Sequence, residues 1–383
     1  MRSGTPRHFY HLINKTARNK QIHGIKEFHI FSVLSFFSLL MLSFSFTEYS
    51  YARDFESSAA EMTRGFFPAV LEREKPSIII FSPPPEFAPD IVTGTLLPYY
   101  EQCRRENRPL PNLYSFIPSP SADWMCTQLG GDANVVKILP NILDVVCGYD
   151  LSPVGINYIS YAAHLWPEER KDILIKCMSA YGYTVETDDT DSLVLLAGKI
   201  TSHVCYEIAY TISEVCYFCG RYVTVNAIGN AMRKAQYEIL PELPKIGTCT
   251  DRDIPAELKS FFPGFMNAWF TGLNRFTIEH KSKITDRDAV YVDMCSFALN
   301  VFPIRYETRE ELEQDTKNAA TKGGILERGN EYYYETVEDG IKSEIKAILQ
   351  LGKHSDDFLP WVEKEAYNTS VEAYKRSLDL TRK

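Results

Sequence analysis

The sequence predicts a mainly α-helical protein with a minor β-sheet, an α+β body behind an amino-terminal leader. Three observations carry that expectation. Long stretches of the second half repeat apolar residues every three or four positions, short β-branched runs lie between them, and glycine or proline closes most of these segments. At 383 residues the chain has enough length for one large core or two ordinary ones. Its 45% hydrophobic and 24% charged content excludes a disordered or multi-pass protein. "TDRD" occurs at 250–253 and 285–288, but the flanks do not align, so no repeat is read.

The leader comes first. Residues 1–27 hold Arg2, Arg7, Lys15, Arg18, Lys20 and Lys26 against one acid, Glu27, and "IFSVLSFFSLLMLSFSF" follows at 30–46 without a charge. Ser50 and Ala52 then supply small residues before a cleavage point after Ala52. These are the three parts of a signal peptide. A 17-residue helix is about 25 Å long, short of a full hydrocarbon core, so cleaved signal peptide and uncleaved signal anchor both stay open. Either sends the body to the periplasm or outside the cell. The first 52 residues carry six of the chain's 41 basic and two of its 50 acidic side chains, which leaves the rest at −13. That balance disfavours nucleic acid and anionic lipid as partners, and a membrane is expected only through residues 30–46 if they are retained.

The body divides on sequence into a lead-in, 53–126, and a mainly helical part, 127–383. Residues 55–74 read as helix interrupted at Pro68, and "SIIIF" (77–81) as a buried strand. Nine of the 21 prolines fall in 83–120, which predicts polyproline II and turns. With Leu110, Leu113, Tyr114, Phe116 and Ile117 as apolar anchors, and Cys103 and Cys126 close by, the segment reads as a strap across the body. "NVVKILPNILDVVCG" reads as helix stopped by Gly148, and "PEERKDILIKCMSAYG" as helix from Pro167 to Gly182. "YTVET" and "SLVLLAG" flank "DDTDS" as a hairpin, whose Asp188, Asp189 and Asp191 lack the glycine and terminal Glu of a calcium loop. Later, Thr308 and Glu311 form a capping box, "NVFPIRYE" and "NEYYYET" read as strands, and two amphipathic helices close the chain.

The sharpest motif is "SEVCYFCGRY", with Cys216 and Cys219 three apart. Read as helix, Ile200, Val204, Ile208, Ile212, Cys216, Cys219 and Val223 form one apolar stripe, and the cysteines are core residues or a staple. Read as strand up to Ser213, the pair opens a following helix, the order used by thioredoxin-like redox proteins, with Pro303 as a candidate cis-proline beside it. A zinc set of His203, Cys205, Cys216 and Cys219 exists on paper, but no second Cys-x-x-Cys supports it, so no metal is expected. All nine cysteines, Cys103, Cys126, Cys147, Cys177, Cys205, Cys216, Cys219, Cys249 and Cys295, follow the leader and are disulfide candidates in an oxidising compartment.

Gly-x-Ser-x-Gly, His-Glu-x-x-His, Walker and dinucleotide fingerprints are all missing, and His164, His203, His280 and His354 are the only histidines after the leader. No cofactor is called for. The expectation is an exported, non-enzymatic binding or assembly component of an envelope or secreted system, working with a protein partner. The alternative is a thiol–disulfide oxidoreductase using Cys216 and Cys219.

Overall fold

The computed structural model describes residues 67–83, 87–141, 156–162, 166–179, 183–241, 250–300, 308–319 and 323–381. The leader, Cys147, Gly148, His164, Gly182, Cys249 and Pro303 lie outside them. In chain order the elements are α1 (Phe67–Glu74), β1 (Ile78–Phe81), α2 (Ala88–Ile91), a π turn (Val92–Leu96), α3 (Leu97–Arg105), β2 (Asn112–Ser115), α4 (Ala122–Gln128), β3 (Val135–Asn141), β4 (Ile156–Tyr161), α5 (Glu168–Met178) and β5 (Tyr183–Glu186). A helical body follows: α6 (Asp189–His203), α7 (Cys205–Phe218), α8 (Val225–Ile239), α9 (Ala256–His280), α10 (Asp286–Asn300), α11 (Arg309–Ala319), α12 (Ile325–Tyr332), a second π turn (Tyr333–Val337), α13 (Glu338–Leu351) and α14 (Phe358–Thr381). The described residues are mainly helical with one small sheet.

The sheet runs β1-β2-β3-β4-β5. β1, β2 and β3 are mutually parallel, β4 is antiparallel to β3, and β5 is parallel to β4. This reversal decides where the helices go. A right-handed crossover between parallel strands places its helix on one face, and turning the strands round while the sheet continues in the same direction sends the next helix to the other. Accordingly α1 to α4 share a core with Ile79, Phe81, Leu113 and Val135, whereas α5 packs through Leu174 with Val136, Ile138 and Ile159 on the opposite face. Beside β4 and β5 the first face is left for the helical body, whose core takes in Ile156, Tyr158 and Val185.

Several sequence expectations are corrected. Segment 83–120 is not an irregular strap: it supplies α2, α3 and the inner strand β2. Pro89 and Pro98 stand in first turns, where no amide donor is needed. The π turn ahead of Pro98, in which the Leu97 amide donates to the Val92 carbonyl, lets the helix continue past the missing N–H. Cys103 and Cys126 are buried, unbonded thiols in the same core. "NVVKILPN" is strand β3, as its β-branched pair favours. "SLVLLAG" belongs to α6, because Asp188 accepts the Asp191 amide at 2.8 Å as a helix N-cap instead of turning a hairpin. "NEYYYET" is helix and π turn, with Tyr333 and Val337 buried in line with Ile341 of the next helix. The Thr308–Glu311 capping box forms reciprocally at 3.2 and 3.4 Å.

The body is built round α9 and α14. They cross at Gly272, where a Cβ atom would stand 2.0 Å from the Glu363 carbonyl oxygen, so only glycine permits this approach. Trp269, Phe262 and Phe265 of α9 are buried in that core. Asp191 ties the body's loops to α6: its carboxylate accepts the amides of Ser282, of Lys283 at 2.9 Å and of Ile284 at 3.0 Å.

Candidate functional site

Sheet register places Ser115, Lys137 and Ser160 side by side across β2, β3 and β4. Directly paired residues point to one face, so the three form a polar row on the face that carries α4 and the helical body. All three are buried, at 0%, 1% and 1% exposure. On the same strands Leu113 and Val135 belong to the core under α1 to α4, and Tyr158 to the core of the body. The row therefore lies at the seam where one helical layer gives way to the other, at the carboxyl end of β2 and in the amino half of β3. In open sheets ligands bind where the topology changes direction.

Asp189, in the first turn of α6, closes the row. Its carboxylate is in contact with the Lys137 ammonium, accepts the Ser160 hydroxyl at 3.2 Å, and accepts the Ala122 amide of α4 at 3.1 Å. It thus links the sheet, the first helical layer and the body. Lys137 also reaches the Pro118 carbonyl at 3.4 Å. The loop bringing that carbonyl in is fixed on its far side by Ser121, which caps α4 by accepting the Trp124 amide at 3.0 Å. Ser115 Oγ is buried with no hydrogen-bond partner among the described residues. A lysine with its counter-ion, a hydroxyl beside it and an unpaired hydroxyl on the next strand offer a substrate oxygen two donors. The pair as a whole is neutral, which suits an uncharged polar group better than a second carboxylate.

A second polar cluster ties helices of the body together. Arg309 donates to Glu338 at 2.6 Å and to Glu214 at 3.1 Å, Tyr333 donates to Thr211 at 2.8 Å, and Tyr334 donates to Glu207 at 2.5 Å. Burial pushes the Glu207 carboxyl up to about 7, against the lowering effect of Tyr334 and Arg309. These groups face one another across α7, α11 and α13 and pair mainly with each other, so they read as a structural tie.

The cysteine pair takes the helical alternative. Cys216 lies near the carboxyl end of α7, fully buried in the body's core, and Cys219 is the helix C-cap before Gly220 at φ 72°. Burial pushes the Cys216 thiol up to about 12. A redox pair needs the opposite setting: an exposed thiol at a helix amino terminus, where the dipole favours thiolate. Of the disulfide candidates, Cys103, Cys126, Cys177, Cys205, Cys216, Cys219 and Cys295 are unbonded. The His203 ring lies tilted against Tyr206 with ring centroids 5.2 Å apart, and no group of three or more metal-ligating side chains occurs among the described residues. Among them, too, no helix is long and apolar enough to cross a membrane.

The sequence reading missed Ser115, Lys137 and Ser160, and treated Asp189 as part of a solvated turn. The one available signal was Lys137 itself, a charge inside the apolar run "VVKIL".

No family model and no curated protein matches the chain. Among solved structures it is similar to a pyrroline carboxylate reductase of Plasmodium falciparum with NADP bound, at TM-score 0.30 and 14% identity, over 58% of this chain and 77% of that one. It is also similar to a pyrroline-5-carboxylate reductase of Coxiella burnetii, at TM-score 0.25 and 11% identity, over 73% and 77%. Neither is named as a binding or assembly protein or as a thiol–disulfide oxidoreductase, and those two expectations from the sequence are withdrawn; the burial of Cys216 stands against the second. Scores this low do not establish a common fold, and no activity, substrate or cofactor is carried over from either protein.

Proposed function

We propose that the chain is an enzyme acting on a small, uncharged polar molecule, with its site at the Ser115–Lys137–Ser160 row under Asp189. The observation that carries this is the row itself: three polar side chains in register on three adjacent strands, buried at the seam where the strand direction reverses. In this reading the substrate presents a carbonyl or alcohol oxygen to the Ser115 hydroxyl and to the Lys137 ammonium. The ammonium stabilises negative charge on that oxygen. Asp189, with its side chain 25% exposed, holds the ammonium in place from the solvent side.

The leader belongs to the same proposal: residues 1–52 export a single body, and residues 30–46 hold it to the membrane if they are retained. Its support is the distribution of charge and apolar residues along that segment.

The test is conversion of small molecules by the purified chain in a metabolite extract, followed by mass spectrometry. Wild type is expected to deplete one polar metabolite and Lys137→Met to leave it untouched, with circular dichroism confirming that the variant is folded. Equal turnover by a folded Lys137→Met chain, or no depletion by wild type, overturns the proposal.

A further inference from the structure

A second cluster takes no part in the chemistry above. An open cavity of about 530 Å³ lies at the amino-terminal ends of β1, β2 and β3 and is lined by Lys75, Arg108, Asn112, Asp132, Asn134 and Arg170. We infer that this cavity binds the phosphate group of a small molecule.

The charges decide its sign. Arg108 is paired with Glu106, and Asp132 with Arg104. Among the described residues Lys75 and Arg170 have no carboxylate within ion-pair distance, so they leave the cavity with an excess of two positive charges. The donors are also positioned before any ligand arrives. Arg170 crosses from α5 to the sheet edge, where its Nη1 donates to Asn112 Oδ1 at 3.3 Å. Asn134 donates to the same oxygen at 3.0 Å. One side-chain oxygen thereby orients both groups, and the rest of the guanidinium's donors stay available. Lys75 sits just past the end of α1 at φ 45°, a left-handed conformation disfavoured for lysine, with its amide bonded to the Leu71 carbonyl at 3.0 Å.

A planar guanidinium with spare parallel donors and a nearby ammonium match the tetrahedral oxygens and double charge of a phosphate group. An open mouth and this volume leave room for the remainder of a small phosphorylated molecule. A single carboxylate would satisfy only one of the two unpaired cations.

The experiment is calorimetric titration of the full chain with inorganic pyrophosphate at low ionic strength, repeated with ADP. Saturable binding at one site per chain is expected, weakened about tenfold or more by Arg170→Gln and by Lys75→Gln, because each removes a charge-assisted contact. Lys346→Gln, on α13 outside this cavity, is expected to bind like wild type. ADP binding tenfold tighter than pyrophosphate assigns the phosphate to a nucleotide, and equal affinity assigns it to a non-nucleotide phosphate; both support the site. Absence of saturable binding overturns it, as does an equal loss in Lys346→Gln, which would mean unspecific attraction to surface charge. Neither result bears on Lys137, so this inference and the proposed activity fail independently.

Discussion

The Lys137–Asp189 pair should respond unequally to removal of its two ends. Taking one partner from a buried ion pair costs about 3–5 kcal/mol, most of it the penalty on the stranded charge. Lys137 is 1% exposed and, without Asp189, keeps only the Pro118 carbonyl at 3.4 Å. Asp189 is 25% exposed and, without Lys137, keeps the Ala122 amide and the Ser160 hydroxyl. Asp189→Ala is therefore expected near the upper end, about 4–5 kcal/mol. Lys137→Met is expected lower, about 2–3 kcal/mol, since methionine refills the volume of the lysine stem and the stranded carboxylate is partly solvated. The double variant removes both charges and should cost at least about 1 kcal/mol less than the sum of the two. Urea unfolding with linear extrapolation at constant pH measures all three. Equal costs, the reverse order, or an additive double variant would refute the reasoning, because each would mean that the pair is not buried and coupled as described.

Further outcomes follow from other parts of the molecule. Gly272→Ala should destabilise by about 1–2 kcal/mol in the same assay, because separating α9 from α14 outweighs the helix propensity gained. Gly94→Ala, with nothing within 4 Å of the new methyl, should be neutral or stabilising. Under native conditions iodoacetamide should label exposed Cys177 and spare Cys216 until the chain unfolds; fast labelling of Cys216 would reopen a redox role. Glu207 should make stability fall as pH rises from its ordinary 4.5 through about 7, since the folded chain holds that proton more tightly than the unfolded one. Glu207→Gln should remove that slope and gain up to about 3 kcal/mol above pH 7, while an unchanged slope would reject the shift.

The helices were the legible part of the sequence, and for a local reason. Pro167, the Thr308–Glu311 box and Gly352 mark helix ends through contacts within a few residues, so their meaning survives without the fold. The strand β1 was equally local, being three isoleucines and a phenylalanine bounded by turn formers. Segment 200–223 was ambiguous because α7 is buried on most sides, and a helix apolar nearly all round loses the periodicity that separates it from a strand. Proline counting misled over 83–120 because position mattered more than number. Pro89 and Pro98 fall in first turns, Pro109 and Pro111 precede β2, and Pro118 and Pro120 follow it.

The site was hidden because its members meet only through the sheet. Ser115 and Ser160 are unremarkable in sequence, 22 residues before and 23 after Lys137, and nothing near any of them marks the pairing. What brings them together is the reversal of strand direction between β3 and β4. It moves α5 to the far face and clears the near face for α6, which arrives with Asp189 in its first turn. The same reversal explains why Lys137 is tolerated inside an apolar strand: had the crossover helices continued on one face, an apolar layer would cover position 137 and no carboxylate would reach it. Burial of that lysine and the change of topology are one fact seen at two scales. Moving the carboxylate by one helical turn, in Asp189→Ala with Leu193→Asp, should therefore fail to restore stability. If it did restore it, Lys137 would be held by general proximity to charge and not by the junction of the two layers.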